Sequence, residues 1–174
     1  MSTPGGDAVT LETSSAEATR ALGRTLARAL RPGDCLALTG ELGTGKTQLV
    51  KGIAEGLGID PRDVASPTFV LHAVYEGTFT LHHLDAYRLR SAREFEDLAV
   101  EELLAAGGVA VIEWADRVRD ALPPARLEIV LEHAGGDRRR LMLRAIGLDH
   151  FGLVSIAREA PDRRPASDAR VDPP

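Results

Sequence analysis

GELGTGKT, residues 40–47, determines the architecture predicted for this chain of 174 residues. The stretch matches the phosphate-binding pattern of a glycine, four residues of any type, a glycine, a lysine and a serine or threonine. Its glycines let the backbone curl so that successive N–H groups face one concavity, and the helix that follows adds the positive end of its dipole. Lys46 supplies a charge for the outer phosphates, and the Thr47 hydroxyl is a ligand for Mg²⁺. The predicted nucleotide-binding residues are Gly40, Glu41, Leu42, Gly43, Thr44, Gly45, Lys46 and Thr47.

The residues on either side of this loop have the pattern that a phosphate-binding loop requires. Residues 35–39 form a short apolar run after the breaker Arg31-Pro32-Gly33-Asp34, which is typical of a strand buried on both faces. Residues 46–57 have helical spacing and end before Gly58. Cys35, the single cysteine, is predicted to be a small buried hydrophobic residue of the strand.

The remaining sequence alternates between helix-like and strand-like segments. A capping box at Ser14 and Glu17 begins a helix that continues to about residue 30. Further helices are predicted over residues 91–106 and in a short segment up to Leu122, and further strands over residues 68–75, 78–84, 109–112, 127–131 and 141–146. This order predicts an α/β fold: a three-layer domain like that of the P-loop nucleoside triphosphatases, with a mixed sheet flanked by helices.

Composition limits the classes of function. The formal charge of −5 and the pI near 5.5 argue against direct binding of DNA or other nucleic acid, because such domains usually have a pI above about 9. No run of about 18 apolar residues occurs, so no membrane span is expected. The single cysteine and the polar first residues predict a cytoplasmic protein.

The ends of the chain differ in composition from its middle. Residues 1–9 are predicted to be a flexible N-terminal tail and residues 10–157 the P-loop domain. Residues 158–174 are rich in proline and in balancing charges and have almost no large apolar side chain, so a disordered C-terminal tail is predicted there.

The distribution of lysine and asparagine bears on which nucleotide is bound. P-loop proteins that read guanine resemble one another in using Asn or Thr, then Lys, any residue and Asp. This chain has no asparagine, and its two lysines, Lys46 and Lys51, lie in the loop or just after it. ATP is therefore favoured over GTP.

Two carboxylates follow apolar strands and are candidates for magnesium binding. Asp85 follows residues 81–84, and Glu113 follows residues 109–112. A P-loop magnesium needs an acidic partner at the end of a neighbouring strand. Both residues serve if one holds the metal and the other orients water. The alternative is that one of them only caps its strand or pairs with Arg88 or Arg117.

Ser66-Pro67-Thr68-Phe69 connects the P-loop helix with the first predicted hairpin. In a P-loop protein this connection is where a nucleotide-sensing switch lies, because a threonine hydroxyl there can reach the outer phosphate or the metal. Thr68 is therefore a candidate for that role, with an ordinary proline turn as the alternative.

The histidines and the single tryptophan do not need a role in catalysis or metal binding. His72, His82 and His83 lie on the predicted hairpin without cysteine partners or zinc-ligand spacing, so they are expected at solvent-facing strand positions. Trp114 directly follows Glu113 and is either a core residue or a contact for a partner protein.

These segments together resemble the TsaE family. The resemblance is carried by the P-loop, by Ser66-Pro67-Thr68-Phe69, by Leu84-Asp85-Ala86-Tyr87-Arg88-Leu89 and by Glu113-Trp114, in this order and spacing, and it covers roughly residues 10–146. The P-loop alone is generic, and the other three segments make the resemblance specific. Thr44 departs from the alanine that is usual in the family, a change that backbone-mediated binding should tolerate.

The resemblance implies a function and a set of partners. It implies a small, weak, Mg²⁺-dependent ATPase needed to make threonylcarbamoyladenosine, the modified base beside the tRNA anticodon. It further implies that the protein binds the TsaD and TsaB proteins, uses ATP hydrolysis to reset their complex, and reaches tRNA only through them.

The resemblance also assigns roles by position. Lys46, Thr68, Asp85 and Glu113 would serve catalysis, and Thr47 and Glu113 would bind the metal. Residues near Ser14 to Glu17 would approach the adenine.

Two other classes of protein share the P-loop. A small-molecule kinase would need a lid with arginines that closes over a second substrate site, and no Arg-rich insertion stands out among the 19 arginines. The other class is a nucleotide-controlled binding module without significant turnover. Phosphate release, measured with and without the partners, separates these classes from the ATPase.

Overall fold

The computed structural model describes residues 8–160, without the side chains of Leu153, Val154 and Ala157. Within this range the strands are β1 (Ala8–Thr13), β2 (Cys35–Thr39), β3 (His72–Glu76), β4 (Thr80–Asp85), β5 (Val109–Glu113), β6 (Arg126–His133) and β7 (Arg139–Ile146). The helices are α1 (Ala16–Ala29), α2 (Lys46–Gly56), α3 (Ala92–Glu96), α4 (Val100–Ala105), α5 (Leu153–Glu159) and a 3-10 helix at Ala115–Ala121. None of these helices is long and apolar enough to cross a membrane.

The strands form one mixed sheet in the order β1-β7-β6-β2-β5-β4-β3. The four central strands β6, β2, β5 and β4 are parallel, and the strands at both edges pair antiparallel. The loop that follows β2 therefore opens at the carboxyl edge of the parallel strands, where ligands bind in open α/β sheets. The predicted fold class is confirmed.

Helices cover both faces of the sheet, as the alternation of side chains along β2 shows. Leu36 and Leu38 belong to the core cluster that contains residues of α1, α2 and α5. Cys35 and Ala37 belong to the second cluster, with residues of α3, α4 and the 3-10 helix. Burial raises the pKa of the Cys35 thiol to about 12, which confirms that this cysteine is a small buried hydrophobic residue.

Helices α1 and α2 pack backbone to backbone at two glycines. A Cβ added at Gly52 would overlap the Arg20 carbonyl oxygen, and one added at Gly23 would overlap the Leu49 carbonyl oxygen. No side chain fits between the two helices at these positions. The close crossing therefore fixes the helix that carries the P-loop lysine and threonine against its neighbour.

Two regular elements extend into the stretches that were predicted to be tails. Ala8 and Val9, expected in the N-terminal tail, begin β1 and pair with Arg144 and Leu143 of β7. At the other end, α5 continues past residue 157 to Glu159, and Ala160 is buried. Residues 1–7 and 161–174, the remainder of the two predicted tails, lie outside the described residues.

Several element boundaries also differ, for local reasons. The helix predicted over residues 91–106 is interrupted between α3 and α4, where Ala99 has a left-handed φ of 51°. The first hairpin strand begins at His72 instead of residue 68, and Leu71 before it has a φ of 66°. Ser15, not Ser14, caps α1, because its side chain accepts the N–H of Ala18 over 3.1 Å.

Candidate functional site

The loop at residues 40–45 joins the end of β2 to the start of α2, as predicted. Gly45 precedes α2 with a φ of 99°, a conformation that favours glycine. A Cβ at Gly40, where φ is 154°, would lie only 2.5 Å from the carbonyl oxygen of Leu131 in β6. The loop keeps this shape because these positions lack side chains, and it directs the amino end of α2 toward the cleft.

Thr44 adds a hydrogen bond within the loop. Its hydroxyl donates to the Glu41 carbonyl over 2.8 Å, and its side chain is buried. The backbone N–H of Thr44 donates to the same carbonyl over 3.3 Å. The threonine therefore supports the turn from inside.

Lys46 lies folded back against the loop that precedes it. Its Nζ donates to the carbonyl oxygens of Gly40 and Glu41 over 2.6 and 2.8 Å and lies 4.1 Å from the centroid of the Trp114 ring. Burial lowers the pKa of Lys46. Three carboxylates oppose that shift, those of Glu113, Asp85 and Asp116.

The two predicted metal ligands, Thr47 and Glu113, are in contact. Thr47 Oγ1 lies 3.1 Å from Oε1 and 3.4 Å from Oε2 of Glu113. Thr47 belongs to the first turn of α2 and Glu113 is the last residue of β5, so two neighbouring elements bring the pair together. Both residues line the cleft. A hydroxyl and a carboxylate are oxygen ligands of the kind that Mg²⁺ takes.

His83 contacts the same Glu113 oxygen, Oε1, that Thr47 contacts. Its Nε2 lies 2.7 Å from Glu113 Oε1, and its side chain is fully buried. The expectation that His83 faces solvent is therefore wrong. His83 and Asp85 alternate along β4 on the sheet face that packs against α2, and β5 brings Glu113 beside them.

His82 is also buried, on the opposite face of β4, so the solvent-facing prediction is wrong for it as well. Its Nδ1 lies 3.0 Å from Nε2 of His72 on the edge strand β3. His72 is partly exposed. Burial lowers the pKa of both histidines, and each histidine therefore favours its neutral form.

Asp85 lies behind the cleft rather than in its wall. Its Oδ2 accepts the hydroxyls of Ser66 and Thr68, each over 2.9 Å, and its Oδ1 accepts the N–H of Tyr87 over 2.8 Å. The carboxylate is buried, whereas Ser66 and Thr68 line the cleft. The two predicted carboxylates thus have different positions: Glu113 faces the cleft directly, and Asp85 is linked to it through two hydroxyls.

The arginines that were alternative partners of the carboxylates lie against aromatic rings. Arg88 is 5.2 Å from the centroid of the Phe69 ring, and Arg117 is 4.8 Å from that of Tyr87. Both carboxylates are instead bonded to hydroxyl, imidazole and backbone groups of the site.

A cleft of about 540 Å³ lies between the P-loop and the segment 66–68. Its rim exposes large apolar side chains: Leu42 of the loop is 84% exposed, and Phe69 and Val70 are 86% and 69% exposed. The lining residues are Leu42, Gly43, Gly45, Lys46, Thr47, Gln48, Ser66, Thr68, Tyr87, Glu113 and Trp114.

Trp114 lies between the core and the cleft. It packs against the second core cluster and lines the cleft. Its ring lies 4.8 Å from that of Tyr87, and its backbone has a φ of 58°, just before the 3-10 helix. The tryptophan is therefore part of the cleft wall, between the P-loop lysine and an exposed tyrosine.

The residues of the cleft fit a nucleotide with its magnesium ion. The loop has positive φ at Gly40, Gly43 and Gly45, the backbone shape that a phosphate-binding loop requires, and Lys46 adds a cation beside it. Within residues 8–160, no group of three or more His, Cys, Asp or Glu side chains is arranged to hold a metal ion. A magnesium ion here would thus take Thr47 and Glu113 from the protein and its other ligands from phosphate and water.

The sequence reasoning brought together most of this site but missed His83. The available signal was the spacing of His83 and Asp85, two residues apart on one strand, which places both side chains on the same face of the sheet. Tyr87 and Gln48, which also line the cleft, carried no such signal.

Comparisons with known proteins match most of this chain to one family. The family model described as threonylcarbamoyl adenosine biosynthesis protein TsaE matches residues 13–141. The TsaE protein of Bacillus subtilis is 44% identical over 132 residues, which are 75% of this chain and 82% of that protein. The TsaE protein of Treponema pallidum is 42% identical over 127 residues, 73% of this chain and 93% of that protein.

A solved structure shows the same architecture. The crystal structure of Bacillus subtilis YdiB superposes with a TM-score of 0.76 at 35% sequence identity, covering 90% of this chain and 98% of that one. The matched segment of the family model includes the P-loop, Thr68, Asp85 and the Thr47–Glu113 pair. The chain belongs to the TsaE family of threonylcarbamoyladenosine biosynthesis proteins.

Proposed function

We propose that this protein binds ATP with Mg²⁺, hydrolyses it slowly, and acts as an accessory protein in the threonylcarbamoyladenosine modification of tRNA. The observation that carries the proposal is the contact of Thr47 with Glu113 at the mouth of a glycine loop. A loop kept only as a tight turn would have no reason to place a buried carboxylate against the P-loop threonine.

Lys46 and the first turn of α2 bind the phosphates in this proposal. Lys46 Nζ exchanges its contacts with the Gly40 and Glu41 carbonyls for phosphate oxygens, a stronger charge-assisted interaction. The Thr47 hydroxyl and the Glu113 carboxylate would hold the magnesium ion, which would supply charge neutralisation at the outer phosphates.

Thr68 positions the attacking water, and Asp85 positions Thr68. Asp85 accepts the hydroxyl protons of both Ser66 and Thr68, so the oxygen lone pairs of these residues remain available at the cleft. A displacement of segment 66–68 by the outer phosphate would move the adjoining Phe69 and Val70, which are exposed. The nucleotide that is bound would thereby determine the position of Phe69 and Val70 at the apolar rim of the cleft.

The proposed partners are the TsaD and TsaB proteins, and tRNA is reached only through them. Support comes from the net charge of −5, which disfavours direct contact with tRNA, and from the exposed apolar rim formed by Leu42, Phe69 and Val70. Trp114 supports this surface from within the cleft wall and is the proposed internal part of the interface. We place the protein in the cytoplasm together with these partners.

Steady-state phosphate release from MgATP, with and without purified TsaD and TsaB, tests the proposal. We expect slow release by the protein alone and faster release with the partners, and no release by Lys46→Ala. Thr68→Ala should bind ATP but hydrolyse it slowly, while Thr68→Ser, which keeps the hydroxyl, should retain most of the activity.

The same assay distinguishes the alternatives. Tight nucleotide binding with no release under either condition would identify a binding module without turnover. Transfer of phosphate to a small molecule, in place of release to water, would identify a kinase.

A further inference from the structure

We infer that His83 is a positioning residue for Glu113, which fixes the orientation of that carboxylate and thereby sets the affinity of the site for Mg²⁺. This inference deepens the proposed function and rests on it. His83 does not line the cleft and touches Glu113 from behind.

The Glu113 carboxylate is held by two donors that lie on different elements. His83 Nε2 is 2.7 Å from Oε1, and Thr47 Oγ1 is 3.1 Å from the same oxygen. Because a carboxylate is free to rotate about its last bond, a single contact would leave its second oxygen undirected. The Thr47 hydroxyl also lies 3.4 Å from Oε2, so the contacts from β4 and from α2 together restrict the rotation of the carboxylate.

The buried surroundings of His83 specify which nitrogen carries the hydrogen. The imidazole is fully buried, and its Nδ1 has no hydrogen-bond partner among the described residues. The carboxylate oxygen accepts, so Nε2 carries the hydrogen in this contact. The geometry therefore places a hydrogen on Nε2, directed at the Glu113 carboxylate.

Among the described residues, the Glu113 carboxylate is the one hydrogen-bond partner of the His83 ring. A histidine kept for packing alone would be better replaced by an apolar residue, because an unpartnered polar atom in a core is costly. The unpartnered Nδ1 lowers the stability of the folded protein, and the hydrogen bond to Glu113 offsets that loss. Outer contacts that orient a metal-binding carboxylate are typically worth 10-fold to 100-fold in metal affinity.

Binding titrations with a fluorescent ADP analogue at increasing Mg²⁺ test the inference without measuring activity. We expect His83→Leu, which removes the donor, to need about 10-fold to 100-fold more Mg²⁺ for half-maximal tightening of nucleotide binding. His83→Gln, which can place an N–H at a similar reach, should recover much of that loss. Binding without Mg²⁺ should be the same in all three proteins.

The Glu113→Gln background separates positioning from general destabilisation. If His83 acts through Glu113, adding His83→Leu to Glu113→Gln should cause no further change in the Mg²⁺ concentration that is needed to tighten nucleotide binding. A further increase of the Mg²⁺ requirement in that background would overturn the inference. A His83→Leu protein with the Mg²⁺ requirement of the wild type would overturn it as well. If His83→Leu does not fold, wild-type Mg²⁺ dependence in His83→Ala or in His83→Met would overturn it equally.

The ring resonances of His83 provide a second measurement. Nitrogen NMR of the wild-type protein should show a hydrogen on Nε2, and an Nε2 without a hydrogen would contradict the assignment. Failure of the wild-type protein to bind nucleotide more tightly with Mg²⁺ would instead overturn the proposed function itself, which keeps the two failures distinct.

Discussion

Lys46 places its ammonium group 4.1 Å from the centroid of the Trp114 ring, while the same group donates to the carbonyls of Gly40 and Glu41. The P-loop lysine thus contacts the single tryptophan of the chain in this conformation. A cation–π contact contributes about 0.5–2 kcal/mol, less than a charge-assisted bond to phosphate at close range. Phosphate binding is therefore expected to draw the ammonium group away from the ring.

Tryptophan fluorescence should report this movement. We expect MgATP to change the emission of the wild-type protein, and Lys46→Ala to change the emission before any nucleotide is added. The mutant should then give no further response to MgATP. A mutant with the wild-type response would show that the signal arises elsewhere in the cleft.

Thermal denaturation should show that Lys46, and not Lys51, is needed for stabilisation by MgATP. MgATP at about 100 times its dissociation constant adds about 2.7 kcal/mol to the free energy of unfolding, a rise of roughly 5–10 °C in melting temperature for a chain of this size. Lys46→Ala should abolish the rise. Lys51→Ala is the matched control, because Lys51 lies on the same helix but does not line the cleft, and it should leave the rise intact.

Glu113→Gln should weaken nucleotide binding only when magnesium is present. The amide keeps the shape and one acceptor oxygen for His83 and Thr47 but removes the negative charge. We expect the free energy of unfolding without nucleotide to stay within about 1 kcal/mol of the wild-type value. Titrations with Mg²⁺ and with EDTA provide the comparison, and an equal loss under both conditions would mean that Glu113 has a structural role.

Stability should fall in mild acid because of the His72–His82 pair. Burial lowers the pKa of both histidines below 6.5 in the folded protein, so the unfolded chain takes up protons first as the pH falls. The free energy of unfolding should be constant above about pH 7 and should decrease as the pH falls through 6.5 and below, until the folded-state pKa values are reached.

The variant His72→Gln isolates this contribution. It removes one titrating ring and the contact of that ring with His82 Nδ1. Urea denaturation at several pH values between 8 and 5 should give a shallower decrease for the variant than for the wild type. Parallel pH profiles would exclude the pair as a source of the acid sensitivity.

The end of the folded body can be located by truncation. Ile156 and Ala160 are buried in the first core cluster, and Glu159 pairs with Arg28 over 3.4 Å. A chain that ends at Ala160 should keep its melting temperature and its nucleotide binding. A chain that ends at Gly152 should lose about 2–5 kcal/mol, the usual range for removing a buried Ile side chain. Loss of nucleotide binding in the longer chain would give residues 161–174 a role.

The centre of this fold was predictable because its signals are local. The strand before the P-loop, the glycines and the helix after it follow one another within residues 35–57, and each has its own pattern. Glu113 and Asp85 were found because a carboxylate at the end of an apolar strand reaches the same edge of a parallel sheet as the P-loop. Which of them faces the cleft depends on the path of segment 66–68, and no local pattern specifies that path.

The predictions for β1, for the helix around Ala99 and for His83 were wrong because contacts between distant parts of the chain override local preference there. β1 is a half-buried edge strand whose pairing partner β7 lies about 130 residues further along the chain, so its short alternation was too weak to identify. The break at Ala99 lies among good helix formers and allows both Phe95 and Val100 to enter the second core cluster. His83 was missed because its partner Glu113 lies on another strand, and its spacing from Asp85 was the one local signal that placed it on the face of the site.

No side chain fits between α1 and α2 at Gly23 and Gly52, so α2, which carries Lys46 and Thr47, is held closely against α1. The other wall of the cleft contains Ser66 and Thr68, within a stretch, residues 66–71, that lies outside any helix or strand. Under the proposed function, we expect the second wall to adjust more than α2 when the outer phosphate is bound or lost. The surface that changes with the nucleotide would then be the one that exposes Phe69.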